Sequence, residues 1–309
     1  MTGTDTPSPP SPRRRRAWRI AAITLAALVL LCLGALYTAW RVLGSDAGTA
    51  WLLSQVKGLK VVDGRGTLNG GPYQAARVEF DLKGSPLKVT IDGLSWHTLQ
   101  WRWRPYAGAW AGLDIDGLQA QRVQVRTIDK GGKTPQPPAS LRLPIEVRLT
   151  NVQLQSLQVD ALPAFEDVHT ELHLGADAGR THRIGRLSFG FARLKMLQAA
   201  GAIDTDAPLK LQADGELESA GATGTLPWHA RLAAVGPLAR IAVDASLRTE
   251  GHGASLELQT AITPFAQWPF ADLQAQMQGL DLASFSATAP STRLEGHARF
   301  RSTGLNEPV

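Results

Sequence analysis

Three polar residues on one predicted strand are the first candidates for chemistry. His169, Glu171 and His173 alternate along the chain, so their side chains point to the same face of a strand. Imidazole and carboxylate groups are zinc ligands, but zinc-protease motifs carry their two histidines on a helix and add a third ligand from elsewhere. We therefore interpret the three residues as a solvated strand face and expect no metal site.

A second candidate is a glycine-rich stretch. Gly64, Gly66 and Gly70 differ by one residue from the dinucleotide-binding fingerprint, and Pro72 interrupts the chain where a helix should follow. The stretch therefore predicts a turn. The sequence also lacks a phosphate-binding lysine loop and a nucleophile elbow around a serine. We expect neither enzymatic activity nor a cofactor.

A cluster of aromatic and basic residues is the remaining candidate. It has two interpretations: contact with lipid headgroups at a membrane surface, or packing of arginine side chains over indole rings within strands. Of these, we favour packing. The cluster consists of Trp96, Trp101, Arg102, Trp103, Arg104 and Trp110.

The elements that position these residues are predicted to be strands. Apolar and polar residues alternate over residues 77–83 and 87–92, and Gly84 and Pro86 between them predict the turn of a hairpin. Similar alternation recurs to the end of the chain. The one clear helix is predicted over residues 46–56, with Asp46 as N-cap and an apolar stripe of Trp51, Leu52 and Val56.

Strands of this pattern form a sheet with one dry face and one wet face. Almost no long amphipathic helix is available to cover the dry face. It could pack on a second sheet in a sandwich, close into a barrel, or remain an open-sided groove filled by an apolar ligand. Periodicity alone does not distinguish these three arrangements.

Residues 20–40 predict a membrane anchor. They form an uncharged, mostly apolar run of 21 residues, which as a helix would be roughly 31 Å long, enough to cross a bilayer. Five arginines precede the run, so we expect the N-terminus in the cytoplasm and the bulk of the chain in the periplasm. A cleaved signal peptide is the alternative, but its apolar region is usually shorter.

The net charge of +5 belongs mainly to the N-terminal stub. Residues 1–19 hold five arginines and one aspartate, and residues 20–40 hold no charge, which leaves +1 for the rest. Nucleic acid is therefore not expected as a partner. We divide the chain into a disordered stub (1–19), an anchor (20–41), a first periplasmic β segment (42–128), a loop (129–140) and a continuing β groove (141–309).

Several segments resemble the N-terminal part of the TamB family, the inner-membrane subunit of the translocation and assembly module. They are WLLSQVKGLKVVDGRGTLNGG from residue 51, KVTIDGLSW from residue 88, GLDIDGLQAQRVQVR from residue 112, PASLRLPIEVRL from residue 138 and ITPFAQWPFADL from residue 262. Members of the family are much longer and end in a domain that engages the outer membrane. We therefore expect this chain to be truncated at its C-terminus.

The resemblance implies a fold and a function. The expected fold is mainly β: an N-terminal transmembrane helix followed by a long, twisted, largely parallel β-sheet folded into an open-sided groove. The implied role is phospholipid transport to the outer membrane and its assembly. Its partners would be phospholipids, the inner membrane and an outer-membrane barrel protein. An alternative is a scaffold or chaperone for the secretion of β-barrels and autotransporters without lipid transport.

If the dry face is a lipid groove, the apolar residues of the strands line it; otherwise they form an ordinary core. The residues predicted to line the groove are Val78, Phe80, Leu82, Leu87, Val89, Ile91, Leu143, Ile145, Val147, Leu149, Ile241, Val243, Leu256 and Leu258.

Overall fold

A computed structural model describes most of the chain after the predicted anchor. The described residues are 38, 41, 44–81, 87–103, 109–127, 136–219, 227–250, 253–266, 268–282 and 290–301. The predicted stub and, apart from Thr38 and Arg41, the predicted anchor lie outside these residues. No helix among the described residues is both long and apolar enough to span a membrane.

The described residues form two helices and seventeen strands, and the strands belong to one sheet. The helices are α1 (Asp46–Gln55) and α2 (Ala176–Gly179). The strands are β1 (Leu59–Val62), β2 (Arg65–Gly66), β3 (Tyr73–Asp81), β4 (Leu87–Trp96), β5 (Thr98–Arg102), β6 (Ala111–Asp116), β7 (Gln119–Thr127), β8 (Ile145–Val159), β9 (Phe165–Gly175), β10 (Thr181–Phe191), β11 (Leu194–Asp204), β12 (Lys210–Ser219), β13 (Trp228–Pro237), β14 (Ile241–Thr249), β15 (Ser255–Ile262), β16 (Phe270–Leu280) and β17 (Leu294–Arg301).

Helix α1 confirms the predicted helix but not its details. Its N-cap is Ser45, whose Oγ accepts a hydrogen bond from the Gly48 N–H at 3.1 Å. The expectation that Asp46 would cap it is wrong, because Asp46 lies within the first turn, where a carboxylate favours the positive end of the helix dipole.

The buried face of α1 also differs from the predicted stripe. Gly48 and Thr49 are buried, whereas Trp51 and Val56 are largely exposed. Small residues face the sheet, so that the helix backbone can approach the strands closely. The Thr49 Oγ1 accepts a hydrogen bond from the Leu68 N–H at 3.2 Å, which ties α1 to the segment between β2 and β3.

The sheet is largely antiparallel, so the expectation of a largely parallel sheet is wrong. From β8 to β17 each strand pairs antiparallel with the next. At the other end, β3 pairs antiparallel with β1, β2 and β4. Most consecutive strands are joined by short connections, which permit hairpins, whereas a parallel pair needs a crossover of about a dozen residues.

One parallel step interrupts this meander. Strands β4 and β5 pair antiparallel with β7 and β6, respectively, and both β6 and β7 then pair parallel with β8. Residues 128–144 connect the end of β7 to the start of β8 at the opposite end of the sheet. The predicted loop over residues 129–140 falls within this crossover, and its length explains why the parallel step occurs here.

Two residues with left-handed backbone conformation lie side by side in the early strands. Gly117 and Asn151, with φ of 66° and 54°, lie opposite one another where β7 follows β6 and where the register of β8 against β9 shifts. Asp116 accepts hydrogen bonds there from Thr150 Oγ1 at 2.7 Å and Asn151 Nδ2 at 2.8 Å. These bonds hold the bend in both strands and lower the pKa of the Asp116 carboxyl below its usual value.

The Asp116 bonds predict a pH dependence. Because the folded-state pKa of this carboxyl is lowered, its contribution to stability is present above the ordinary aspartate pKa of 3.8 and is lost as the pH falls through the folded pKa. We expect Asp116→Asn to flatten the pH dependence of the free energy of unfolding between about pH 5 and pH 3. Urea denaturation across this range measures the slope, and an unchanged slope would contradict the prediction.

The main buried cluster lies beneath α1. It contains Tyr73, Ala75, Val78, Trp96 and Leu99, with Leu53 of α1 packed against it. The rings of Tyr73 and Trp96 are stacked with centroids 4.4 Å apart. Burial raises the pKa of the Tyr73 phenol. The first strands therefore have an ordinary packed core, closed on one side by a helix.

Candidate functional site: the apolar face of the sheet

Starting from Leu99 of this cluster, the sheet carries one uninterrupted row of cross-strand neighbours. Each residue in the row is the paired partner of the next, and the row crosses twelve strands from β5 to β17. At about 4.8 Å per strand it is roughly 50 Å long. We call it the long row; it consists of Leu99, Ile115, Leu149, Leu172, Ile184, Gly201, Ala213, Ala234, Val243, Thr260, Leu273 and Phe300.

Two further rows lie beside the long row from β11 to β17, both on the same side of it, and enlarge it into an apolar face. Large and small side chains alternate in one of them, because Leu232 and Leu258 are each flanked by alanine or glycine partners. Small side chains leave space above the backbone between the leucines. The flanking rows are Ala199, Gly215, Leu232, Ala245, Leu258, Ala275 and Ala298, and Met196, Leu217, Ala230, Leu247, Leu256, Met277 and Gly296.

The apolar face is only partly covered. Its residues in the middle of β12–β16 are half-buried, except for Gly215, which is buried. Full burial is found at the strand ends instead, as for Leu209 and Ile241 at one end and Trp228 and Leu280 at the other. Since all described strands belong to one sheet, no second sheet covers this face within the described residues.

The opposite face is polar and carries cross-strand ion pairs. Arg231 lies 3.1 Å from Glu216, and Arg240 lies 2.8 Å from Asp272. Each exposed pair contributes little stability, but together they keep this face in water. The two faces of the sheet are therefore chemically distinct along its length.

Two depressions of about 480 and 460 Å³ open on the polar face. The first is lined by Arg148, Glu171, His173 and Arg183 among others, and the second by residues that include Glu216, Arg231, Asp244 and Glu257. Charges of both signs therefore line both depressions, together with members of the apolar rows such as Leu172 and Leu258.

Most of the residues predicted to line a groove lie on the apolar face or its continuation. Phe80 pairs with Val89 and Val78 with Ile91, which confirms the predicted hairpin. Val147, Leu149, Val243, Leu256 and Leu258 are half-buried strand residues.

Four of the predicted lining residues are placed differently. Val78 and Ile241 are buried, so they act as core, and Leu87 is 42% exposed. Ile145 starts β8, whereas Leu143 precedes the strand and belongs to no regular element. Leu82 lies outside the described residues.

The three polar residues considered as metal ligands have separate partners. The His169 Nδ1 lies 2.9 Å from the carbonyl oxygen of Asp167, and Glu171 is paired with Arg186. The His173 Nε2 lies 2.6 Å from Glu146 Oε1. No group of three histidine, cysteine, aspartate or glutamate residues in the described part of the chain is arranged to hold a metal.

Glu146 is a buried carboxylate that sequence reasoning missed. Its side chain is 3% exposed, and besides His173 it has Arg102 and Arg148 within 3.9 and 3.8 Å. A buried carboxylate requires such cationic partners. The alternating pattern of β8 places Glu146 among the polar residues that are expected to face water. The sequence therefore does not indicate that its side chain is buried.

The aromatic and basic cluster separates into two parts. Trp96 is buried in the core, as the packing interpretation predicts, but Trp101, Trp103 and Trp110 are 46%, 74% and 57% exposed. Arg102 pairs with Asp114. Arg104 lies outside the described residues.

Comparison with known proteins finds no matching family model, no matching curated protein and no matching solved structure. The resemblance to the TamB family therefore remains a prediction from the sequence.

Proposed function

We propose that this chain is an inner-membrane-anchored periplasmic protein that shields phospholipid acyl chains on the apolar face of its sheet, for transport to the outer membrane and its assembly. The observation that supports this proposal is the long row, a continuous and mostly apolar track of roughly 50 Å whose members between Leu99 and Phe300 are half-buried. An ordinary core would bury these side chains fully.

The energetics of lipid movement favour such a track. An acyl chain of about 16 carbons loses on the order of 12 kcal/mol when it enters water, at about 0.8 kcal/mol per methylene. A carrier across an aqueous gap must therefore offer continuous apolar contact, and it needs no base, nucleophile or metal. Gly201 and Thr260 are the least apolar members of the long row, and both have apolar partners in the row on each side.

A second candidate function is a scaffold that assists the secretion of outer-membrane β-barrels without moving lipid. The edge of β17 supports it. Among the described residues β17 pairs only with β16, and Phe300 is 46% exposed there. An unpaired strand edge can accept a strand from another polypeptide by backbone hydrogen bonding.

Site-specific photocrosslinking tests the lipid proposal. We expect a photoreactive residue at Val147 or Val243 of the full-length, membrane-bound chain to capture phospholipid. The matched controls are Arg148 and Ala242, which neighbour these positions on the polar face. Equal lipid capture at both kinds of position would refute the lipid proposal, as would protein adducts alone at Val147 and Val243. Capture of an unfolded barrel precursor at Phe300 without lipid elsewhere would favour the scaffold.

A further inference from the structure

Four tryptophans near the start of the described chain are exposed to an unusual degree. Trp51 is 59% exposed on α1, and Trp101, Trp103 and Trp110 are 46%, 74% and 57% exposed on or beside β5 and β6. Indole rings combine a large apolar surface with one N–H donor, and they are enriched at the boundary between lipid and water. Four exposed indole rings within 60 residues of chain are therefore of the type found at such a boundary.

Contacts through Leu68 bring α1 and β5 together. The Leu68 N–H donates to Thr49 Oγ1 on α1, and the Leu68 carbonyl accepts a hydrogen bond from Trp101 Nε1, both at 3.2 Å. Trp101 and Trp103 follow the buried Leu99 at alternate positions of the chain. The exposed rings therefore continue the face on which α1 packs.

The chain itself indicates what covers this surface. Residue 40 ends the predicted anchor, and Ser45 begins the cap of α1 only five residues later. Five extended residues span at most about 18 Å. A bilayer that holds the anchor therefore lies within reach of α1 and of the rings next to it.

The charge of the connecting region fits the same partner. Residues 41–66 contain four basic residues, at positions 41, 57, 60 and 65, and two aspartates, so their net charge is +2. All four basic residues are exposed. Basic segments close to a membrane are attracted to anionic lipid headgroups.

We propose that Trp51, Trp101 and Trp103 dock α1 and β5 on the periplasmic surface of the anchoring bilayer. The occupant of the tryptophan surface is thus the lipid headgroup region. This inference rests on the membrane anchor of the proposed function and adds the place where lipid enters. Leu99, which begins the long row, lies two residues before Trp101, so a docked β5 brings the start of the row close to the membrane surface.

The test uses the full-length chain in nanodiscs of phosphatidylethanolamine and phosphatidylglycerol. A photoreactive residue replaces Trp51 or Trp103 in turn. The matched control is Trp268, which is also exposed, at 44%, but lies next to β16 near the far edge of the sheet. We expect about tenfold more lipid adduct at the docking positions, the factor that corresponds to removing roughly 60 Å² of ring surface from water.

The outcomes separate this inference from the proposed function. Equal adduct yields at Trp103 and Trp268, or only protein adducts at Trp103, would overturn the docking surface. Lipid capture at Val243 but not at Trp103 would overturn docking and leave the transport proposal standing. The reverse result would support docking and refute transport.

Discussion

Replacing Trp96 with alanine is expected to lower the free energy of unfolding by about 3 kcal/mol, the low end of the range for buried aromatic residues. Trp96 is 8% exposed and stacks on Tyr73, so its removal leaves a cavity under α1. The expected loss is at the low end because the Trp96 indole N–H has no hydrogen-bond partner among the described residues. Deleting the ring therefore also removes the free-energy cost of burying an unpaired donor. Hydrogen exchange of the β3 and β4 amides measures the change locally.

Two further variants control this prediction. Trp96→Phe keeps an aromatic ring against Tyr73 without the unpaired N–H, so we expect most of the protection to be retained. Trp103→Ala changes a side chain that is 74% exposed, and its effect on unfolding should be within about 0.5 kcal/mol. Similar losses for Trp96→Ala and Trp103→Ala would show that the described core does not stabilise the first strands.

Replacing Val243 with aspartate is expected to reduce the phospholipid that co-purifies with the chain by at least about tenfold, because removing a carboxylate from water costs more than the 1.4 kcal/mol that corresponds to that factor. Val243 lies in the long row between Ala234 and Thr260. An acyl chain passing this point would have to desolvate the charge. Quantifying lipid in the purified chain, and lipid adducts at Leu258, measures the effect.

The neighbouring residue provides the control. Ala242 is exposed on the polar face of the same strand, so Ala242→Asp should leave bound lipid unchanged. Because Val243 is only half-buried, we expect Val243→Asp to keep the β signal in circular dichroism. Normal lipid binding by a folded Val243→Asp variant would refute the role of the long row, and equal losses in both variants would point to a general effect of charge.

The alternation of apolar and polar residues predicted the strands well where one face of the sheet is exposed to water. Val243 and Leu258 fall on strands β14 and β15 as predicted, because the polar residues between them must face water. The strand direction was predicted wrongly from the family resemblance. Only five residues, 250–254, separate β14 from β15, too few for the crossover that a parallel pair needs.

The continuity of the long row could not be predicted from the sequence. It depends on register, and register depends on bulges at residues with left-handed conformation such as Asn151 and Arg186. These polar and charged residues look ordinary in an alternating strand. Ala213 and Ala234 were also missed, because alanine carries little hydrophobic signal although it occupies the middle of the apolar face.

The meander from β8 to β17 has a consequence for how the molecule responds to force and heat. Within the described residues, each strand from β9 to β17 hydrogen-bonds only to its neighbours in sequence, so this array resembles a repeat protein in which interactions extend one step at a time. Unfolding that begins at β17 would then proceed one strand at a time toward β8. It would leave the stacked rings of Tyr73 and Trp96, near the other edge of the sheet, in place. Such an array can lengthen or shorten in evolution one hairpin at a time.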